Sequence, residues 1–231
     1  MVGQNGMSDH QRLATGRLQV NATPPTKGPW ATMADFRAVA AVSEAVIELL
    51  QARYLAAPQY FNNEIEFRIY MARDFSQPMA AGVSLFLYRI FPNGALRSLR
   101  GRSGPDGQQY RNQLPLDLHF ILTAWAQDAS LQHLIVGWMM RMIEDAPILP
   151  PGLLNQKYPN LFAADEGVAL SASDLSTEEL LRMWEVMVEN SYQISVPYVA
   201  RFVKIDSDLP VATGRPIQER TLNYAVPGVA S

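Results

Sequence analysis

The pattern of apolar and polar positions predicts four strands in this chain. The stretch EIEFRIYM at 64–71 alternates throughout, which is typical of a strand with one buried face. GVSLFLYRIF at 82–91 is apolar on both faces and predicts a central strand. LPLDLHFILTAWAQD at 114–128 opens with a third strand, and YQISVPYVARFVKID at 192–206 predicts a fourth. Because Pro197 cannot donate a ladder hydrogen bond, it predicts that the fourth strand is an edge or contains a bulge.

Apolar residues recur with the spacing of a helix in three segments, the first of which is residues 34–55. One stripe along it is mostly apolar and consists of Phe36, Val39, Ser43, Val46 and Leu50. The third segment, residues 175–190, opens with a capping box from Ser176 to Glu179. In such a box each side chain accepts a hydrogen bond from the other residue's backbone N–H, which fixes the start of the helix.

The second helical segment, residues 129–145, is the most apolar of the three. Asp128 precedes it and is suited to cap its first turn. Its polar positions form one narrow stripe, which consists of Ser130, His133, Gly137, Arg141 and Glu144. We therefore expect this helix to be buried on most sides, either in the core or in a subunit contact.

These elements together predict an α+β fold, a mixed β-sheet packed by about three helices. Residues 34–206 contain all of them and form one predicted domain. Residues 1–33 are rich in Gly, Pro, Thr, Asn and Gln without a sustained period, which predicts an extended N-terminal arm. Residues 207–231 contain several prolines and small side chains and predict a C-terminal arm.

The composition narrows the classes of function. Of the 231 residues, 48% are apolar and 18% charged, so a sizeable core is available. A net charge of −3 gives no support for broad nucleic-acid binding, and the absence of cysteine excludes disulfides and thiolate chemistry. The first residues contain no apolar h-region, so we expect no secretory leader, and no apolar run reaches membrane-spanning length. We expect a soluble protein that is made in the cytoplasm and does not insert directly into a membrane.

Asp117 and His119 lie two residues apart on one face of the third strand, which raises the question of an acid–base site. A hydrolase would need a nucleophile, and no G-x-S-x-G elbow occurs. A metal site would need three or four ligands, and the three histidines lack metal-binding spacing. We therefore predict no catalytic residue, cofactor or metal, and interpret the pair as a hydrogen-bonded clasp. The competing hypothesis is an enzyme with Asp117, His119 and Asp128 at a cleft.

The loop at 94–113 is strongly basic. It contains the single acid Asp106 and four arginines, which are Arg97, Arg100, Arg102 and Arg111. Arginine binds carboxylates in a bidentate manner, so contact with an acidic protein surface is one interpretation of this loop. A solvated loop is the other.

The order of these segments resembles a known family. The most specific pieces are LFLYRIFPNGALR, LPLDLHFILTAWAQD and SVPYVARFVKID, which a PIQER tail follows. Together they resemble the tail-terminator, or cap, proteins of extracellular contractile injection systems. The similarity covers roughly residues 35–222 and is to their N-terminal domain, long catalogued as a domain of unknown function.

The resemblance implies a structural role. Family members form a six-fold ring on the distal end of a contractile particle, end polymerisation, and hold the sheath to the inner tube. The implied partners are a second copy of the chain, the sheath protein and the inner tube protein, in a particle that is retained or released. The resemblance implies neither catalytic residues nor cofactors, and we expect the second domain of longer relatives to be absent. An adaptor or anchoring module that attaches through residues 1–33 is the alternative.

Two candidate interfaces follow from the resemblance and the residue pattern. Either the C-terminal segment, roughly 211–226, or an edge at 192–206 is expected to engage the sheath by strand addition. The candidate residues in the C-terminal segment are Arg215, Ile217, Arg220 and Leu222. The four arginines of the 94–113 loop are expected to contact the tube ring or a neighbouring cap subunit.

Overall fold

The computed structural model describes residues 34–61, 64–96, 101–104, 107–187 and 192–211. The helices are α1 (Ala38–Ala56), α2 (Ala129–Glu144), α3 (Pro151–Leu154) and α4 (Thr177–Met187). The strands are β1 (Glu66–Ile69), β2 (Gly82–Pro92), β3 (Arg102–Ser103), β4 (Gln109–Tyr110), β5 (Leu114–Trp125), β6 (Ile148–Leu149), β7 (Val168–Ala172) and β8 (Ser195–Ile205). Short 3₁₀ turns occur at Pro58–Tyr60, Ala72–Ser76 and Gly94–Leu96.

Six of the strands form one mixed sheet in the order β1-β2-β5-β8-β7-β6. The β1–β2 pair is parallel and the other pairs are antiparallel, while β3 and β4 form a separate hairpin. The predicted α+β fold is confirmed, with β2 inside the sheet as its apolar sequence indicated. The pattern did not predict β6, β7 or α3, which are short and lack a sustained period.

One face of the sheet is covered by α1 and α2. Their buried side chains pack against Leu118, Phe120 and Leu122, the even-numbered positions of β5. The stripe predicted for α1 is buried at Ser43, Val46 and Leu50. Its first member, Phe36, is 77% exposed, so the prediction was wrong there, because the helix begins only at Ala38.

The opposite face is covered over half its length by α4 and the 3₁₀ turn Ala72–Ser76. Phe75 packs edge-to-face on Trp184, with ring centroids 5.3 Å apart, and lies 5.9 Å from the Trp125 ring. The Trp125 indole N–H donates to Ser84 Oγ at 2.8 Å. β5 is therefore buried on both faces near its end, whereas none of the described helices covers the half of this face near its start.

The helix starts follow the predicted capping chemistry. Asp128 Oδ1 accepts a hydrogen bond from the Leu131 N–H at 2.9 Å, at the start of α2. At the start of α4, the Ser176 N–H donates to Glu179 Oε2 at 3.0 Å, and the Glu179 N–H donates to Ser176 Oγ at 3.2 Å. Local side-chain chemistry thus fixes both boundaries.

α2 is less buried than its sequence predicted. Only Ile135, Met139 and Ile143 are buried, while Leu134 and Met140 are exposed. The expectation of burial on most sides within the core was wrong, because the helix packs a single stripe on the sheet. The alternative, burial of its outer apolar side chains in a subunit contact, stays a prediction. Across the described ranges, none of the helices combines the length and the apolar character needed to cross a membrane.

β8 lies between β5 and β7, so the edge predicted as one alternative for 192–206 was wrong, while the other alternative, a bulge, is confirmed by the shift of register between β5 and β8. Pro197 is tolerated because β7 ends beside it. The Ser173 N–H donates to the Pro197 carbonyl at 3.0 Å, while the Ser173 carbonyl accepts from the Leu175 N–H at 3.0 Å. The carbonyl that would have paired with an N–H at position 197 therefore has another donor. Between Tyr198 and Arg201 both sides of β8 are paired, so this part of the strand is not open for strand addition.

Candidate functional site

The start of β5 lies opposite a β-bulge in β8. Their register shifts between Leu116 and Leu118, so that Arg201 and Phe202 both oppose Asp117. Phe202 has a φ of 65°, which lies in the left-handed region that residues other than Gly, Asn and Asp seldom adopt. A bulge of this kind re-aims the side chains of the strand, and here it places two large residues on the uncovered half of the sheet face.

Asp117 connects this bulge to the turn after β2. Its carboxylate is only 8% exposed. Oδ1 accepts from the Phe202 N–H at 3.3 Å, and Oδ2 accepts from Asn93 Nδ2 at 3.1 Å. The same asparagine donates its backbone N–H to the Pro115 carbonyl at 2.9 Å. These are the contacts that a clasp between strand and neighbouring loops would make, and the role itself is a prediction tested below.

His119 faces the loop that leads into α4. Its Nδ1 lies 3.3 Å from Ser173 Oγ, and Ser173 also bonds to the Tyr88 side chain. Burial lowers the pKa of His119 below its ordinary value, and the positive charges of Arg89 and Arg201 lower it further, against an opposing effect of Asp117. The neutral imidazole is therefore the favoured form.

Of the contacts that a hydrolytic site needs, only a hydroxyl beside an imidazole is found among these residues, and the two carboxylates lie elsewhere. Ser173 places a hydroxyl beside the imidazole of His119. The Asp117 carboxylate, however, bonds to Asn93 and to the Phe202 backbone. Asp128, the third member of the enzyme hypothesis, lies beyond the far end of β5. At the rise of an extended strand, that end is roughly 25 Å from Asp117.

The basic loop contains the β3–β4 hairpin, and Arg102 points into the protein from it. Arg102 Nε lies 3.5 Å from Asp206 Oδ1, and its guanidinium carbon lies 6.0 Å from the Tyr110 ring centroid. Asp206 also accepts from Gln113 Nε2 at 2.7 Å. Arg102 thus fastens the hairpin to the end of β8.

The other arginines of this loop are placed differently. Arg111 is exposed, and its backbone N–H donates to the Leu209 carbonyl at 3.0 Å. Arg97 and Arg100 lie outside the described residues. Of the four candidates, Arg111 is thus the one whose described side chain is available at the surface.

The C-terminal segment continues past β8 along the hairpin. Tyr110 forms an isolated bridge with Pro210, and the Val211 N–H donates to the Gln109 carbonyl at 2.7 Å. The predicted arm is thus held to the domain as far as residue 211. Its candidate residues Arg215, Ile217, Arg220 and Leu222 lie outside the described residues.

Sequence reasoning missed a surface, here called the basic face, formed by Arg89, Phe91, Arg201 and Phe202. Phe91 and Phe202 are 48% and 45% exposed. The Arg89 guanidinium carbon lies 4.9 Å from the Phe91 ring centroid. The signs in the sequence were an arginine beside an aromatic residue in each of two otherwise apolar strands, RIF at 89–91 and RF at 201–202. Only the pairing of both strands with β5 brings the two together.

Two solved structures share this fold. The first is described as the sheath/tube terminator of an extracellular contractile injection system, PVC, in the extended state; the TM-score is 0.54 at 19% identity over 83% of this chain. The second is the anti-feeding prophage cap, described as a tube-terminating cap, with a TM-score of 0.50 at 16% identity over 79% of this chain. The chain spans 64% and 60% of the lengths of those two proteins.

Comparison with families gives the assignment. Curated proteins gave no match. The model of the Pvc16 N-terminal domain matches residues 41–219, which include α1 except its first three residues, α2, α4 and every strand of the large sheet. The chain therefore belongs to the Pvc16 N-terminal domain family.

Proposed function

We propose that this protein is a structural cap, or tail terminator, of a contractile injection system. It forms a ring on the distal end of the particle, ends polymerisation of tube and sheath, and holds the sheath end to the tube. The observation that carries the proposal is the match of fold over 83% of the chain to a protein described as a sheath/tube terminator. Membership of the Pvc16 N-terminal domain family supports it.

The architecture suits a rigid structural part. A sheet with helices on one face and an aromatic cluster on half of the other keeps its surfaces in fixed positions. The Asp117 carboxylate is engaged by two hydrogen bonds within the fold, which supports a structural rather than a catalytic role for it. In this proposal the protein needs no cofactor and acts through its surfaces.

We assign contact with the sheath to the segment that follows Val211. This assignment is supported by the backbone pairing of residues 209–211 along β4, which fixes the position of Val211, the residue before this segment. A deletion of residues 212–231 leaves these bonds in place, so the truncated protein should fold as the full chain does. We expect it to fail as a terminator. Normal sheath attachment by the truncated protein would remove the segment from the proposal.

The basic loop is assigned to the tube ring or a neighbouring subunit, with Arg97, Arg100 and Arg111 as its contact residues. Reversal of these three charges should weaken attachment, and the loss should be larger at low ionic strength. Arg102→Glu is the contrasting variant, because it would break the internal pair with Asp206 and lower stability. Unchanged occupancy of particle ends by the triple variant would rule out this contact.

Polymer length tests the function as a whole. Tube and sheath subunits would be assembled with and without the full-length protein, and particle lengths measured. The proposal predicts a narrow length distribution with the protein present and continued growth without it. Equal distributions in both reactions would contradict the proposed function.

A further inference from the structure

The basic face is a part of the sheet that the described chain leaves open. α4 and the turn Ala72–Ser76 cover the neighbouring half of the same sheet face through Phe75 and Trp184. Arg89 pairs with His119 from the β2 side and Arg201 opposes Asp117 from the β8 side, which places the two cations on either side of the start of β5. Arginine and aromatic side chains are the residues most enriched in the centres of protein interfaces.

Acidic side chains lie at the opposite end of the sheet, where Glu66 also pairs with Arg68. Glu64, Glu66 and Asp128 line an open cavity together with Ala80 and Leu131. This cavity lies where β1 and β2 begin and β5 ends, since Glu66 pairs with Gly82 and Gly82 with Trp125. We call it the acidic pocket.

One copy of the chain cannot bring these two surfaces together. Asp117, beneath the basic face, and Trp125, beside the acidic pocket, are eight residues apart in β5, which corresponds to roughly 26 Å of extended strand. A second copy, moved along the sheet direction, can place its pocket against the basic face of the first.

The arms of the chain are poor occupants of the basic face. Residues 1–33 contain three basic side chains, Arg12, Arg17 and Lys27, and the single acid Asp9. Residues 212–231 contain Arg215 and Arg220 against Glu219. The side chains of both arms carry a net positive charge, which the two arginines repel, and a second basic face is repelled in the same way.

We propose that the basic face of one copy docks on the acidic pocket of the next, with Arg89 and Arg201 meeting Glu64, Glu66 and Asp128. The inference rests on the proposed function in so far as a cap needs a ring. Contact between two different surfaces of identical chains is heterologous, and such contacts close into rings when the rotation between copies permits. Charge complementarity of this kind sets the register and orientation of the copies.

Charge exchange tests the contact. The first variant, Arg89→Glu with Arg201→Glu, makes both surfaces acidic. The second, Glu64→Lys with Glu66→Lys, makes the pocket basic and leaves Asp128 as the α2 cap. The matched control, Arg182→Glu with Glu185→Lys, reverses the same kinds of charge on the exposed side of α4. Circular dichroism would verify that each variant is folded.

The readout is the mass distribution of the full-length proteins by sedimentation velocity at low and high salt. We expect the wild type and the control to associate at low salt, and each reversed variant alone to associate at least tenfold more weakly. An equimolar mixture of the two reversed variants should recover association, in complexes that contain both. A monomeric wild type at low salt, or a mixture that stays monomeric, would overturn the proposal.

The outcomes also separate this contact from the proposed function. If the mixture fails to associate while the wild type still limits particle length, the contact is wrong and the cap function stands. If the mixture associates but the wild type has no effect on particle length, the contact stands and the cap function is wrong.

Discussion

At the scale of single residues, buried polar groups hold the irregular part of the sheet. The strand pairing alone would leave the Phe202 N–H without a ladder partner at the bulge, and Asp117 supplies one. The same carboxylate holds Asn93 in the turn after β2. Two segments that are far apart in the chain are therefore positioned by one side chain, which is how a strand residue can act as a clasp.

The clasp interpretation predicts a loss of stability from Asp117→Ala. The substitution leaves the Phe202 N–H and the Asn93 amide without their acceptor, so we expect a loss of about 1–3 kcal/mol in the free energy of unfolding. Chemical denaturation would measure it, with Asp208→Ala, an exposed carboxylate, as the control. An unchanged midpoint would contradict the clasp, and an enzyme would instead keep its fold and lose turnover.

His119 predicts a dependence of stability on pH. Its pKa in the folded protein is lowered from 6.5 by burial and by Arg89, so the unfolded chain takes up this proton more readily. The free energy of unfolding should therefore fall as the pH drops through about 6.5 toward 5. His119→Gln should reduce that slope, while His133→Gln on the exposed side of α2 serves as the control. Equal slopes for all three proteins would refute the prediction.

At the scale of elements, the parallel β1–β2 pair depends on a close approach of backbones. A Cβ on Gly82 would collide with the Glu66 carbonyl oxygen and with Met79 Sδ, and the first of these atoms belongs to the paired strand. β1 is an edge strand of four residues, so it has few other bonds with which to absorb a displacement.

The same substitution should have opposite effects at two glycines. Gly82→Ala is expected to destabilise the protein by about 1–3 kcal/mol, because the backbone must move to admit the methyl group. Gly137→Ala, in the exposed side of α2 where nothing lies within 4 Å of the new Cβ, should stabilise it by about 0.5–1 kcal/mol. Thermal unfolding of the two variants compares them directly, and shifts in the same direction would refute this account of Gly82.

Local chemistry explains which elements were predictable. β2, β5 and both capped helices were recognised because alternation, helical period and the side chains of Asp128 and Ser176 act within a few residues. Pro197 indicated an edge or a bulge in β8, but the position of the bulge at Arg201 and Phe202 was not predictable, because it arises from the pairing of β5 with β8. Asp117 and Phe202 are 85 positions apart. The candidate site was also not predictable from local chemistry. Arg102 points inward because it pairs with the distant Asp206, and Arg89 and Arg201 share one face because β2 and β8 both pair with β5.

At the scale of the whole molecule, the sheet has differently charged ends and residues 209–211 are held against the β3–β4 hairpin. The account assigns these features to separate tasks. The sheet ends join copies of the chain, the segment after Val211 meets the sheath, and the basic loop meets the tube or a neighbour. Charge reversal at the sheet ends, deletion of residues 212–231 and charge reversal in the basic loop should each disrupt one of these tasks and leave the other two intact.

Electron microscopy of particles assembled from tube, sheath and this protein tests the central claim most directly. The account predicts a closed ring of this protein at the distal end of each particle, in contact with the last tube disc and the last sheath ring. Particle ends without the protein, or protein bound along the sides, would contradict the assignment as a cap.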